Sequence, residues 1–411
     1  MTTVVLVGSL DTKGDEYAYA KERIEELGAR ALLVDTSTRG DPTVTADVPA
    51  DEIARAGGGD LDAVRSADLA TAQEVMIRGG SAVVGRLLGE GRLDAVFALG
   101  GSNNTSTAAA IFRSLPLGVP KLILTTMAVG DVGSLVGGSD LVLAASVADI
   151  AGLNPVTRAV IANAAAAITG MGKYGRRAVD PPRKPLIACS MIGLTSRAVS
   201  AARRRLEKLG YDVVVFHMTG AGGAAMEELI GSGPVAGVLD LTTSELADDL
   251  FGGVCSAGPG RLRGAVARGV PQVVGPGGLD MINFRQPDTV PTRFQERQVH
   301  AYNRAVTLVR TTPSENARLG RTLVERLVDP AARHTPVVLL PSGGVSALDE
   351  PGQPFEDPRA DDALREAIRA GAGDALRVVE LDGDLDRPEF GEAAAEMLHE
   401  LINTRPRKEE S

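Results

Sequence analysis

Short runs of β-branched and aliphatic residues alternate with helical patterns along most of this 411-residue chain, and that alternation leaves few architectures open. Parallel strands need a crossover of a dozen or more residues, usually a helix, so repeated strand–helix order predicts parallel βαβ units. The clearest strands are Val4 to Val7, Ala31 to Val34, Ala95 to Leu99, Leu122 to Leu124 and Leu141 to Ala144. Asn154-Pro155 has the form of an N-cap followed by proline at the first helical position, opening a helix to about Met171. Gly172 to Lys184, rich in Gly, Arg and Pro, reads as a linker. Beyond it come strands Leu186 to Cys189, Val213 to Phe216, Val238 to Leu241, Gln272 to Val274, Thr307 to Arg310 and Val337 to Leu340. The predicted fold is α/β: two Rossmann-like, doubly wound domains with mainly parallel sheets, spanning 1–178 and 179–411. The length agrees, because single cores rarely serve more than roughly 250–300 residues.

The two halves echo one another. At a constant offset Val4-Val5-Leu6-Val7 falls on Leu186-Ile187-Ala188-Cys189, and Ala31 to Val34 falls on Val213 to Phe216. Later, Pro120-Lys121-Leu122-Ile123 matches Pro271-Gln272-Val273-Val274. This pattern suits an internal duplication, although all βαβ units share such periodicity. Lys13 falls on Thr195, so a phosphate-binding lysine at that turn belongs to the first domain alone.

Composition narrows the function classes. An apolar content of 44% is ample for burial, and a net charge of −10 argues against a broad nucleic-acid surface, which needs a basic face. Arg203-Arg204-Arg205 sits on a helical pattern with apolar neighbours and reads as a solvated face. The two cysteines, Cys189 and Cys255, have no metal-like spacing and suit a reducing cytoplasm. No basic-then-apolar leader precedes the first strand, and the most apolar stretch, Ala159 to Met171, is too short to span a bilayer. The expectation is a cytoplasmic protein acting on a small-molecule substrate, with neither nucleic acid nor membrane as partner.

In open α/β sheets ligands bind beyond the carboxyl ends of the strands, which selects the loops to inspect. The first is Gly8-Ser9-Leu10-Asp11-Thr12-Lys13-Gly14, read as a polar turn before a helix running from about Asp15 to Leu27. A lysine there can meet a phosphate at the helix N-terminus, although the turn is not a Walker sequence and a solvated lysine serves as well. The second is Gly100-Gly101-Ser102-Asn103-Asn104-Thr105-Ser106, whose glycines let backbone N–H groups approach an anion while Ser102 or Thr105 adds a hydroxyl. The third holds Thr125-Thr126 and Gly130-Asp131, with Asp131 placed to help hold magnesium or simply to form a turn. In the second domain His217 ends a strand and can exchange protons near neutral pH; Glu245 is a candidate base or a plain helix-start acid; Asp280 is a candidate base or substrate anchor. Thr312-Pro313-Ser314-Glu315 has the form of a helix start, with Asn316 outside that account.

These residues in combination resemble the tobamovirus-resistance-protein-like ATP-binding family. The resemblance rests on Gly8 to Lys13 with Glu16, Gly100-Gly101-Ser102, Thr125-Thr126-Met127-Ala128, Asp149 to Asn154 with Arg158, Gly220 to Glu227, Leu239 to Asp248, Leu279 to Phe284 and Gly352-Gln353-Pro354-Phe355, and covers nearly the whole chain. It implies ATP bound in the N-terminal domain and a tendency to form homodimers; magnesium is expected from the reading of Asp131. Plant members of that family continue into a barrel domain, so the resemblance also implies a separate barrel-type partner protein. Two departures stand out. Asn103-Asn104 replace expected glycines, and Gly343, Tyr302 and the region of Asp384 lack the family's lysine and histidines, which suits a divergent member.

Two functional classes emerge. One is an ATP-dependent enzyme acting on a small polar or carboxylate substrate in the interdomain cleft, by ligation or phosphoryl or nucleotidyl transfer, with Lys13 neutralising phosphate charge and Glu245 or Asp280 as base or anchor. The other is a non-catalytic, nucleotide-responsive protein that regulates a protein partner.

Overall fold

The computed structural model describes residues 1–130, 132–175, 184–329, 335–373 and 375–404. It divides into two compact units, Met1–Asp180 and Pro181–Ser411.

The first unit holds five strands, β1 (Thr3–Gly8), β2 (Arg30–Asp35), β3 (Ala95–Gly100), β4 (Lys121–Thr125) and β5 (Val142–Ala145), in the order β2-β1-β3-β4-β5 and parallel throughout. Strand alternation explains how one sheet serves two cores. Val5 and Val7 point to one face, with Leu32, Val34, Val96 and Ala98, and are covered by the helices Ala50–Ala56, Leu69–Gly89 and Ser102–Arg113. Val4 and Leu6 point to the other, with Ala31, Leu33 and Phe97, beneath the helices Leu10–Glu26 and Pro155–Gly170. The chain winds outward from β1 in one direction to β2 and in the other to β3. The topological switch therefore lies between β1 and β3, where the loops diverge and a crevice opens.

Tyr17 ties that switch point together. Its ring is fully buried, its hydroxyl lies 2.7 Å from the carbonyl of Val7 and 3.1 Å from that of Leu99, and it accepts from the Leu99 N–H at 3.0 Å. A Cβ at residue 8 would stand 1.9 Å from this hydroxyl, so only glycine fits there.

The helix ends follow their sequence signals. Asn154 caps the helix Pro155–Gly170 in a reciprocal capping box with Thr157, and Thr312 does the same with Glu315 for the helix Pro313–Leu327. Asn316 is buried and donates to the Thr311 hydroxyl (2.8 Å) and the Thr312 carbonyl (3.1 Å), which accounts for its presence at that helix start.

The second unit holds β6 (Leu186–Met191), β7 (Asp212–His217), β8 (Val235–Thr242), β9 (Gln272–Gly277), β10 (Met281–Phe284), β11 (Val299–Ala301), β12 (Thr307–Arg310), β13 (Val337–Pro341) and β14 (Arg377–Leu381). Six of these form a parallel sheet in the order β14-β13-β9-β8-β6-β7. Its first four strands thus have the same spatial order as the first four of the first unit, as a duplication would leave them. One sequence expectation needs correcting. Thr307–Arg310 does not join the parallel sheet but is the middle strand of an antiparallel one, β10-β12-β11. A four-residue run with a β-branched and aliphatic centre specifies a strand without specifying its neighbour.

Replacing Tyr17 by Phe removes the hydroxyl shared by two strand ends and leaves buried backbone groups short of a partner. The expected loss is about 1–3 kcal/mol, read as a lower urea midpoint for the first unit's unfolding transition; an unchanged midpoint would show that the tie is dispensable.

Candidate functional site

At the end of β1 the sequence expectation is revised. The helix begins at Leu10, not near Asp15, so Asp11, Thr12 and Lys13 form its first turn, with a local break at Lys13 (φ −129°, ψ 20°). Its free N–H groups are largely spoken for. Buried Asp35 accepts from the Leu10 N–H (3.2 Å), from the Ser37 N–H (2.9 Å) and from the Ser37 hydroxyl, and the Ser37 oxygen in turn accepts from the Asp11 N–H (3.0 Å). Burial raises the Asp35 pKa, while these hydrogen bonds oppose the rise. The positive end of this helix is thus served by the protein's own carboxylate, and an incoming phosphate would meet Asp35's field. Lys13 donates its ammonium to the Ile150 carbonyl.

The loop after β3 is different. Gly100 adopts φ +150°, a backbone region reserved for glycine, and a Cβ there would approach the Asn104 Cβ to 2.8 Å. Gly101 then starts the helix Ser102–Arg113 with no side-chain cap. Its first-turn N–H groups have no intrahelical acceptor, and Ser102 and Asn103 are exposed. Asn104 turns inward: its carbonyl accepts from the Ser9 N–H (3.2 Å) and hydroxyl (2.8 Å), and its amide donates to Leu99 (3.1 Å). Asn104 therefore clamps the two loops at the switch point, and Asn103 alone of the pair faces solvent.

Between these loops lies a cavity of about 330 Å³. Ser9, Asp11, Thr12 and Lys13 line one side, Gly101 to Asn104 with Thr107 another, Thr36, Thr38 and Arg39 a third, and Leu69, Gln73 and Met76 close it. Its size is at the small end of ligand pockets, roughly 300–1,000 Å³. Arg39 is held by a bond to the Arg65 carbonyl (3.0 Å). Asp11 accepts from the Gly40 N–H through Oδ2 (2.9 Å), while its Oδ1 has no partner among the described residues.

Of the residues expected to touch phosphate, Asp11, Thr12, Lys13, Gly101, Ser102 and Asn103 share this cavity. Gly8 and Gly100 shape its backbone, and Thr126 is exposed beside Gly100, whose carbonyl its N–H meets at 3.4 Å. Thr105 and Thr125 do not line it. Their hydroxyls are buried and bonded to each other at 2.6 Å, so they brace the loops from behind. Asp131 lies outside the described residues. Sequence reasoning missed Thr36, Thr38 and Arg39, although the polar stretch following the strand Ala31 to Val34 was the signal that could have found them.

The second unit does not gather its candidate acid–base residues into one site. His217 is exposed at the end of β7. Glu245 is buried, with Oε1 accepting from the N–H groups of Gly220 (2.7 Å) and Gly223 (3.1 Å) and Oε2 from Arg261 Nε (2.7 Å). The sequence left two roles open for Glu245, base or helix-start acid, and the structure shows a carboxylate engaged on both oxygens. The same arginine, only 1% exposed, grips Asp240 with two bonds (2.5 and 2.7 Å) and reaches Glu227 at 3.3 Å. Asp280 is fully buried and accepts from the Ser346 hydroxyl at 2.7 Å, near Arg310, which pairs with Asp349 and Asp361. Burial raises the pKa of Asp280 and Asp349, and the Arg310 charge opposes both. No hydrogen bond or ion pair joins any two of His217, Glu245 and Asp280 among the described residues, nor do those residues contain a group of three His, Cys, Asp or Glu able to hold a metal. None of the described helices is long and apolar enough to cross a membrane.

Two domain profiles of "Uncharacterised protein family (UPF0261)" match almost the full length, the N-terminal domain over residues 2–177 and the C-terminal domain over residues 184–402. The chain belongs to the UPF0261 family. A UPF0261 protein of Clostridium tetani is 40% identical over 97% of this chain and 98% of its own length, and one of Rhizobium meliloti is 42% identical over 98% and 100%. The tomato ToMV susceptible protein tm-1(GCR26) is 37% identical over 89% of this chain, which spans 51% of that protein. The ToMV resistance protein Tm-1(GCR237) of tomato is 42% identical over 68% of this chain and 37% of its own length. Membership is thus shown over both units, and the kinship with the tomato proteins agrees with the resemblance drawn from the residues.

Two outcomes follow for the buried charges. Replacing Arg261 by Met strands three carboxylates in the interior and should cost about 3–5 kcal/mol, seen as early unfolding of the second unit; a normal melting temperature would refute the anchoring role. Asp248, pushed up to about 7 by burial against two opposing hydrogen bonds from Asn283, is a separate case. Its folded pKa lies above its unfolded value, so folding is favoured by the protonated form and that contribution fades as pH rises from about 4 to 7. Asp248→Asn should flatten the decline by up to about 1.4 kcal/mol per pH unit; an identical pH profile for both proteins would reject the assignment.

Proposed function

We propose that the first unit binds a nucleotide, ATP, in the cavity between the β1 and β3 loops. The observation that carries this reading is the uncapped N-terminus of the helix Ser102–Arg113 opening into a cavity at the sheet's switch point. Such a terminus offers oriented N–H groups and partial positive charge to a phosphate. Lys13 and Arg39 add cationic groups to the lining, and Leu69 and Met76 supply an apolar surface. With the neighbouring helix already capped by Asp35, the phosphates belong at Gly101 to Asn103 and not at Asp11 to Lys13. Magnesium accompanying the nucleotide needs few protein ligands, because phosphate oxygens and water fill most of its shell. Asp11, with its unpartnered Oδ1, suits that place within the described residues.

The bound ATP would serve either a reaction on a small polar or carboxylate substrate or the control of a protein partner. The engagement of both Glu245 oxygens by Gly220, Gly223 and Arg261 supports the second, since that carboxylate is already occupied within the protein. The tomato relative bearing the name of a virus resistance protein points the same way. A homodimer and a barrel-type partner complete the proposal on the family resemblance alone, and a cytoplasmic setting on the cysteine content.

Calorimetric titration with ATP, with and without magnesium, tests the site. Asn103→Asp, which sets a carboxylate at the helix terminus, should weaken binding tenfold or more, and Lys13→Ala should weaken it less because the ammonium is shared with Ile150. Equal affinity in Asn103→Asp would move the site elsewhere, and no saturable binding to the intact protein would end the nucleotide reading. Release of ADP or AMP on long incubation with candidate acceptors would identify an enzyme; ATP recovered unchanged would favour the regulator.

A further inference from the structure

The helix Pro313–Leu327 carries Arg318, Arg321 and Glu325 along one side at three- and four-residue steps, with Arg326 next in the chain. With Arg263 from the helix Arg263–Arg268, these side chains line a surface hollow of about 530 Å³ whose apolar wall includes Leu250. Arg326 is 7% exposed and fixed by Asp249 at 2.5 Å and the Gly258 carbonyl at 3.2 Å, so its charge is met and it serves as a rigid floor to the hollow, leaving the free charge to Arg263, Arg318 and Arg321. Arg318 lies over the Phe251 ring at 5.6 Å, which restricts its rotamers. Arg263, Arg318 and Arg321 are exposed and make no ion pair within 4.0 Å among the described residues, and Glu325 is the one acid lining the hollow. The chain as a whole carries a net charge of −10, so this concentration of guanidinium groups runs against the protein's average.

Adjacent like charges on a helix repel, and a concave cluster of them is relieved most by an anion with several oxygens. Guanidinium forks match the paired oxygens of phosphate groups better than a single point charge does. We propose that this hollow is a second anion site, binding a compact phosphate-class group such as pyrophosphate or a phosphorylated small molecule. The inference is independent of the nucleotide reading for the first unit.

The test is calorimetric titration of the full chain with pyrophosphate at low and physiological salt. Arg318→Gln/Arg321→Gln should weaken binding at least tenfold, whereas Asn103→Asp and the control Arg203→Gln/Arg204→Gln should leave it within twofold. These arginines are exposed, and matching melting curves would confirm folding; Arg263→Gln, on a different helix, should give a smaller loss in the same direction. Unchanged affinity in both arginine variants, or no saturable binding to the intact protein, overturns the proposal. So does an equal loss in the Arg203/Arg204 control, which would mean general charge attraction, or loss only in Asn103→Asp, which would assign the anion to the first unit's cavity. Hexaglutamate binding more tightly than pyrophosphate would overturn it in favour of an acidic protein surface as the partner.

Discussion

Buried Asp35 sets the terms for the first unit. A single carboxylate oxygen at the end of β2 accepts from the first turn of the helix Leu10–Glu26 and from Ser37, so β2, its following loop and that helix are fixed to one another. A carboxylate at a helix N-terminus is stabilised by the same partial charge that would attract a phosphate. Once Asp35 holds that position, the open helix terminus at the switch point is the one after β3. Tyr17 and Asn104 complete the arrangement, one tying the strand ends together and the other clamping Ser9 to Leu99.

The second unit spends its buried charge differently. Its sheet repeats the strand order of the first, yet its carboxylates are drawn inward to arginines, with three around Arg261 and two paired to Arg310. Such clusters are weak contributors to net stability but costly to break, because removing the arginine leaves charges without water or counterion. They also fix geometry: Glu245 holds the turn Gly220 to Gly223, and a side chain on Gly223 would collide with it. The carboxylates gathered around Arg261 and Arg310 thus hold these loops in place, and similar loop chemistry in the two units need not mean similar ligands.

Much of the α/β fold was legible because strand runs, Pro-capped helix starts and crossover lengths are local signals, and each expected strand exists with its ends within three residues, β12 excepted in its partners. The candidate site was legible only by loop. A sequence shows that Asp11 to Lys13 and Gly101 to Asn103 follow strands; it does not show that Thr105 and Thr125 pair with each other behind the loop. It gave no sign that Glu245, a plausible helix-start acid, would be claimed by Arg261 sixteen residues later.

By itself the sequence determined the α/β class, the family and the set of loops at the carboxyl ends of the strands in each sheet, since hydrophobic periodicity and turn residues act over a few positions. Tertiary structure alone decided which of those loops stay open. That choice depends on partners far apart along the chain, Asp35 with Leu10, Asn104 with Ser9, Arg261 with Asp240, and a buried polar group takes whichever partner the fold brings within hydrogen-bond reach.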